Sequence, residues 1–168
     1  MNKLKYYTGV GSRETPPDII EKIKKIAKFM GEQGYILRSG GADGADAAFE
    51  IGCGSHPKEI YLPWKGFNGS NSANYMVYGD ALLLASKIHP AWFNLTDAAQ
   101  KLHGRNCYQV LGEDLKHPSS VLICWTHNGE ETGGTRTAIV LAKQKGIPVI
   151  NLAVEKDLSP GKLKTLLS

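Results

Sequence analysis

The sequence lacks most of the features that would place it in a specialised class. Its 168 residues include only three cysteines, Cys53, Cys107 and Cys124, widely spaced and without a CxxC pair. That excludes a disulfide framework and a zinc knuckle, and leaves buried thiols in a reducing compartment as the expectation. No apolar run approaches the roughly 18–20 residues that span a bilayer. No long apolar stretch follows the lysines of MNKLKYYTGVGSR, so no secretory signal is read and a cytoplasmic location is expected. There is no internal repeat, no low-complexity linker and no metal-binding motif, and no cofactor is expected. The GxxxxGK[ST] of a P-loop is missing. Gly9-Val10-Gly11 is followed by Ser12-Arg13-Glu14, which does not complete GxGxxG and argues against an ordinary dinucleotide dehydrogenase.

What is present is an ordinary globular composition. Apolar residues make up 42% and charged residues 21%, enough for a real core and incompatible with general disorder. Length and continuity point to a single domain over 1–168, with a loop and helical insertion at about 64–118. Twenty Lys and Arg against sixteen Asp and Glu leave a formal net charge of +4. Such a mild excess suits an anionic small ligand and permits nucleic acid without requiring it.

Strand-like and helical patterns alternate along the chain. Strands are expected at Lys5–Val10, Tyr35–Arg38, Glu59–Leu62, Ser120–Trp125 and Val149–Leu152. A helix should open at Pro16-Pro17 with Thr15 as N-cap and end at Gly34. Its apolar stripe is Ile19, Ile20, Ile23, Ile26, Ala27 and Met30, and its lysines form a solvated face. A small-residue helix follows to about Gly52, two more run over about Tyr78–Lys87 and Thr96–Val110, and another covers Gly133–Lys145. The tail reads as a break at Pro160-Gly161 and a short turn. Trp64 to Asn74 is a polar loop of a length that often serves as a lid. Alternation of this kind predicts an α/β fold: a Rossmann-like open parallel sheet of about five core strands, order 3-2-1-4-5, with helices on both faces. Ligands bind such sheets beyond the carboxyl ends of the strands, where the strand order reverses.

Three glycine-rich loops should meet there. The first is Gly9-Val10-Gly11-Ser12-Arg13, the second Ser39-Gly40-Gly41-Ala42-Asp43-Gly44-Ala45-Asp46, and the third Thr132-Gly133-Gly134-Thr135-Arg136-Thr137. Strand-to-helix turns aim free N–H groups at one spot, and glycine lets the backbone approach a phosphate. Ser12, Ser39, Thr135 and Thr137 add hydroxyls, and Arg13 and Arg136 can neutralise a phosphate. Asp43 and Asp46 can each cap the following helix or hold ribose hydroxyls; capping suits Asp43, and ligand contact suits Asp46 one step later. Arg105 and Asn106 interrupt an apolar helix; Arg105 can reach the ligand or a partner subunit, or be a plain surface arginine, and both are candidate ligand residues. Trp64 or Phe67 can stack on a base, whereas Trp92 and Phe93 read as core or interface residues. His89 and His127 read as surface or helix-flanking residues.

The segments GVGSR at 9–13, SGGADGADAAFE at 39–50 and GGTRTAIVLAKQKGIPVINL at 133–152 together resemble the SLOG superfamily, which gathers the DNA-processing Smf/DprA proteins and the LOG phosphoribohydrolases. HPAWFNL at 89–95 and GRNCYQVLG at 104–112 look like the small DprA-like proteins of bacteriophages. The resemblance implies a Rossmann-like domain that binds nucleotide-derived ligands at its glycine loops. LOG enzymes carry GGxGTxxE with a catalytic Glu. On this chain Gly133, Gly134 and Thr137 match, Arg136 stands where glycine is usual, and Val140 replaces the Glu. N-glycoside hydrolysis needs a carboxylate, so the departure argues for binding without cleavage; Glu130 or Glu131 would have to supply the missing group. The leading expectation is a binder of the ADP-ribose or cyclic ADP-ribose class, a phage-type anti-defence protein sequestering an immune signal in the host cytosol. The alternatives are a nucleoside monophosphate phosphoribohydrolase and a DprA-like single-stranded DNA binder. A homodimer or larger assembly through the Trp92–Tyr108 region is also expected.

Overall fold

The computed structural model describes residues 3–168. Strands β1 (Lys5–Gly11), β2 (Tyr35–Ser39), β3 (Lys58–Ile60), β4 (Val121–Trp125) and β5 (Val149–Asn151) form one parallel sheet, order β3-β2-β1-β4-β5. The chain steps outward from β1 to β3, then crosses back to lay β4 against the free side of β1, in the register Tyr7 to Val121. The loops after β1 and β4 therefore run to opposite faces and leave a crevice between them.

Among the described residues six helices cover the sheet: α1 (Pro17–Glu32), α2 (Ala45–Cys53), α3 (Gly79–Ile88), α4 (Asp97–Leu111), α5 (Arg136–Gln144) and α6 (Pro160–Leu167). Strand β4 shows how its nearly all-apolar sequence is used. Successive side chains point to opposite faces, so Val121 and Ile123 join the core under α1, α2 and α6 while Leu122 and Cys124 join the core under α3, α4 and α5. All three cysteines are buried and free, and burial pushes the Cys107 and Cys124 thiols up to about 12. Among the described residues no helix is long and apolar enough to cross a membrane.

Several local expectations need correction. Thr15 is not the N-cap of α1; Pro16 holds that position, and the Thr15 hydroxyl turns back to donate to the Ser12 carbonyl at 2.6 Å. Strand β3 stops at Ile60, and Tyr61 makes only an isolated bridge with Asn74. The tail is a helix, because Ser159 caps it by accepting from the Lys162 N–H and Leu163 is buried in the first core. Helix α5 starts three residues late, after a tight turn at Gly133–Thr135. Of the two readings given to Trp92 and Phe93, core holds for Trp92 and not for Phe93, which is 95% exposed.

Two features fix the helices that frame the crevice. Arg38 on β2 is only 2% exposed. It pairs with Glu59 at 3.2 Å, donates to the His117 carbonyl at 2.6 Å and stacks 3.8 Å from the Tyr6 ring centre. That set ties the sheet to the segment leaving α4. On the other face, α2 rests on β1 at glycines: a Cβ on Gly9 would lie 2.6 Å from the Phe49 ring, and one on Gly11 would lie 2.7 Å from Ala45. Gly9→Ala is expected to cost about 1–3 kcal/mol through overpacking, read as a lower denaturation midpoint in urea with an unchanged slope.

Candidate functional site

A cavity of about 360 Å³ opens at the carboxyl ends of β1 and β4. Its walls are the loop after β1, the start of α2, one face of α4 and the turn before α5. The α4 wall is a helical stripe, Ala99, Leu102, His103, Asn106 and Gln109, with Arg105 beside it.

Of the expected ligand residues, Gly11, Ser12, Arg13, Asp46, Arg105, Asn106, Gly133, Gly134 and Thr135 line this cavity. The others are placed elsewhere, each for a visible reason. Gly9 lies under Phe49, as described. The Ser39 hydroxyl donates to the Gly9 carbonyl at 2.6 Å and stitches two strands together. Gly40 and Gly41 sit behind the cavity wall: a Cβ on Gly40 would strike the Gln109 amide at 2.4 Å, and one on Gly41 would strike Leu62 at 2.8 Å. Asp43 does not cap α2, whose N-cap is Gly44; its Oδ1 accepts from Asn68 at 2.9 Å. Asn68 also donates to the Gly41 carbonyl at 3.0 Å, so the long polar loop is tied down over the second glycine loop. That places Phe67 at the cavity, while Trp64 packs edge-on behind it at 5.4 Å. Arg136 turns away and donates to the Ile88 carbonyl at 3.0 Å. Thr137 is buried against His103, Oγ1 to Nδ1 2.8 Å.

The three loops therefore differ in kind. In the first two, added side chains would collide with the chain itself. In the third, a Cβ on Gly133 or Gly134 would meet nothing within 4 Å. Gly133 needs its glycine for a φ of +66°, but the space beside Gly134 is simply open. Asn106 holds this third loop by donating to the Gly134 carbonyl at 2.6 Å.

The charges in the cavity are buried and incompletely paired. Arg105 is 6% exposed. Its Nε donates to Asn106 at 3.1 Å and its guanidinium lies 5.3 Å from the Phe67 ring centre, yet Nη1 has no partner among the described residues. The Gln109 Nε2 is also buried and unpartnered. Native proteins seldom leave such donors unmet, because each forfeits its hydration. Asp46, 4% exposed, accepts from the Ala42 N–H at 3.4 Å, and the nearby amides of Gly11 and Gly40 also favour its charged form. Burial pushes its carboxyl up to about 6, outweighing the attraction of Arg105 and of those amides. Burial, with His89, Arg105 and Arg136 nearby, pushes His103 down to about 4, so its ring is neutral at pH 7. Gln109 and His103 escaped the sequence reading; the signal was there, since both share the helical face of Asn106.

No protein-family model matches the sequence, and no curated protein matches it. Similarity is found among solved structures. A DNA processing protein A from Helicobacter pylori, described for its single-stranded DNA binding mode, superposes with a TM-score of 0.53 at 14% identity over 88% of this chain. The present chain spans 64% of the length of that protein. The Moco carrier protein of Chlamydomonas rheinhardtii superposes with a TM-score of 0.52 at 18% identity, covering 89% of this chain and 76% of that one. The chain shares the fold of these two proteins. At these identities the likeness extends to the fold alone, and function rests on the cavity.

Proposed function

We propose that this chain binds a nucleotide-derived small molecule of the ADP-ribose or cyclic ADP-ribose class in the cavity and retains it uncleaved. In the phage-type setting suggested by the sequence, it would act by sequestering such a signal. The observation that carries the reading is the Arg105 guanidinium, buried in the cavity wall with Nη1 unmet, a donor that an oxygen-rich guest would satisfy. The cavity volume, about 360 Å³, falls within the roughly 300–1,000 Å³ usual for small-molecule sites. Arg13 and Ser12 at the mouth and the open turn at Gly133–Thr135 offer a place for phosphate.

Retention without cleavage is supported by the carboxylates. Val140 packs against the second core, Glu131 is tied to Lys143, and Glu130 does not line the cavity. The acids that do are Glu14 and Asp46, and Asp46 is engaged by backbone amides. Self-association through the Trp92–Tyr108 region belongs to the same proposal, with Phe93 exposed there.

Purified protein incubated with ADP-ribose, cyclic ADP-ribose, nucleoside monophosphates and an oligonucleotide, then denatured and analysed by mass spectrometry, is expected to return an intact ADP-ribose-class ligand. Release of a free base would establish the N-glycosidase alternative. A salt-sensitive oligonucleotide complex with no small ligand would establish the strand-binding one.

A further inference from the structure

The amide cradle that the second glycine loop builds is already filled, and it is filled by the chain's own carboxylate. The Ala42 N–H donates to Asp46 Oδ2 at 3.4 Å at the start of α2, and the amides of Gly11 and Gly40 also favour the charged carboxylate. Strand-to-helix turns of this kind attract anions, and here the anion is internal and nearly inaccessible to solvent. A phosphate entering the floor of the cavity would meet this carboxylate before it met the amides.

Beside Asp46 stand two unmet donors. These are Gln109 Nε2 and Arg105 Nη1; Gln109 Nε2, Asp46 Oδ2 and the Arg105 Nε that is hydrogen-bonded to Asn106 lie 2.4, 2.8 and 3.0 Å from the single point where a Gly40 side chain would begin. The floor therefore brings one carboxylate, one guanidinium and one amide within a few ångströms of one another. Arg105 and Asp46 together are close to neutral. A guest group that carries no charge, accepts from Arg105 and Gln109 and donates to Asp46 satisfies all three. A pair of neighbouring hydroxyls does this, since each hydroxyl both donates and accepts.

We propose that Asp46 serves as a built-in anion that fills the amide cradle and makes the cavity floor select an uncharged pentose diol over a phosphate. The guest then lies with its sugar hydroxyls inward, on Asp46, Arg105 and Gln109, and its phosphates outward, toward Arg13 and the turn before α5. The inference rests on the cavity being a nucleotide site, and it specifies which end of the nucleotide enters first.

ADP-ribose carries a terminal ribose beyond its diphosphate, whereas ADP ends in phosphate and holds its one ribose between that phosphate and the base, so the two ligands differ in the end that enters first. Titration calorimetry on the intact chain at pH 7.5 is expected to show ADP-ribose binding at least tenfold more tightly than ADP. Asp46→Asn, which keeps the shape and removes the charge, is expected to strengthen ADP at least tenfold and to narrow the preference. Gln109→Leu is expected to weaken ADP-ribose about tenfold and leave ADP unchanged, so the proposal stays testable if the Asp46 variant fails to fold. Binding of neither ligand would remove the nucleotide reading itself. Equal binding of both, with no response to either substitution, would overturn the diol inference and leave the nucleotide reading standing.

Discussion

Arg105→Met is expected to weaken binding of ADP-ribose about a hundredfold, or about 3 kcal/mol. The guanidinium reaches the cavity wall from α4 with Nη1 unpartnered, so a ligand oxygen that reaches it gains a charge-assisted bond. Arg105→Lys keeps the charge but not the planar fork, and should recover only part of the loss. Stability should respond differently from affinity. A buried cation with an unmet donor opposes folding, but Arg105 also steadies the Asp46 carboxylate. At pH 5, where Asp46 carries its proton, the Met variant should be at least as stable as the parent. At pH 8, where the carboxylate is charged and has lost its cation, it should be less stable. Calorimetry for affinity and thermal melts at the two pH values check both halves. Unchanged affinity in the Met variant would remove Arg105 from the site.

The same contrast explains what could be read from the chain before its structure. The sheet order was legible because it follows from rules with few exceptions: alternating elements, parallel strands and right-handed crossovers leave few arrangements. The strand SVLICW announced its central place by lacking any polar face. Boundaries were less legible where a single side chain decides them. Thr15 looks like a cap, yet its hydroxyl turns back to the Ser12 carbonyl; Pro160-Gly161 looks like a break, yet Ser159 caps a helix across it.

The site was legible at the level of loops and opaque at the level of glycines. A glycine needed because Phe49 presses on it, as at Gly9, and a glycine beside empty space, as at Gly134, are identical in sequence. What separates them is the position of atoms far along the chain. Arg136 illustrates the same limit: it sits in the right loop, but the first turn of α5 directs its side chain to the Ile88 carbonyl. Conversely, the α4 wall could be anticipated from polar residues on one helical face, because such residues are costly to bury without a purpose. Arg105 and Asn106 stood out on that ground, and Gln109 satisfies the same criterion.

The pH dependence of stability should expose two opposed titrations within the cavity. Asp46 moves from an ordinary 3.8 to about 6 on folding, so between these values the native state holds a proton that the unfolded chain has released. Its contribution to stability is greatest at low pH and falls by about 3 kcal/mol as pH rises through that window. His103 moves the other way, from 6.5 to about 4, so there the unfolded chain holds the extra proton. Its contribution is present at neutral pH and is lost, again by about 3 kcal/mol, as pH falls through 6.5 to 4. The two nearly cancel in the parent protein, which should show little slope from this pair between pH 4 and 6.5. Asp46→Asn should uncover the histidine, and stability should then rise with pH across the window. His103→Gln, which can still reach the Thr137 hydroxyl, should uncover the carboxylate, and stability should fall with pH. The double variant should be flat again. Urea midpoints from pH 4 to 7 for all four proteins decide the matter, since exposed groups such as Asp114 contribute equally to each and drop out of the comparison. Parallel curves for the two single variants would mean that burial shifts neither group, and would overturn the two opposed titrations.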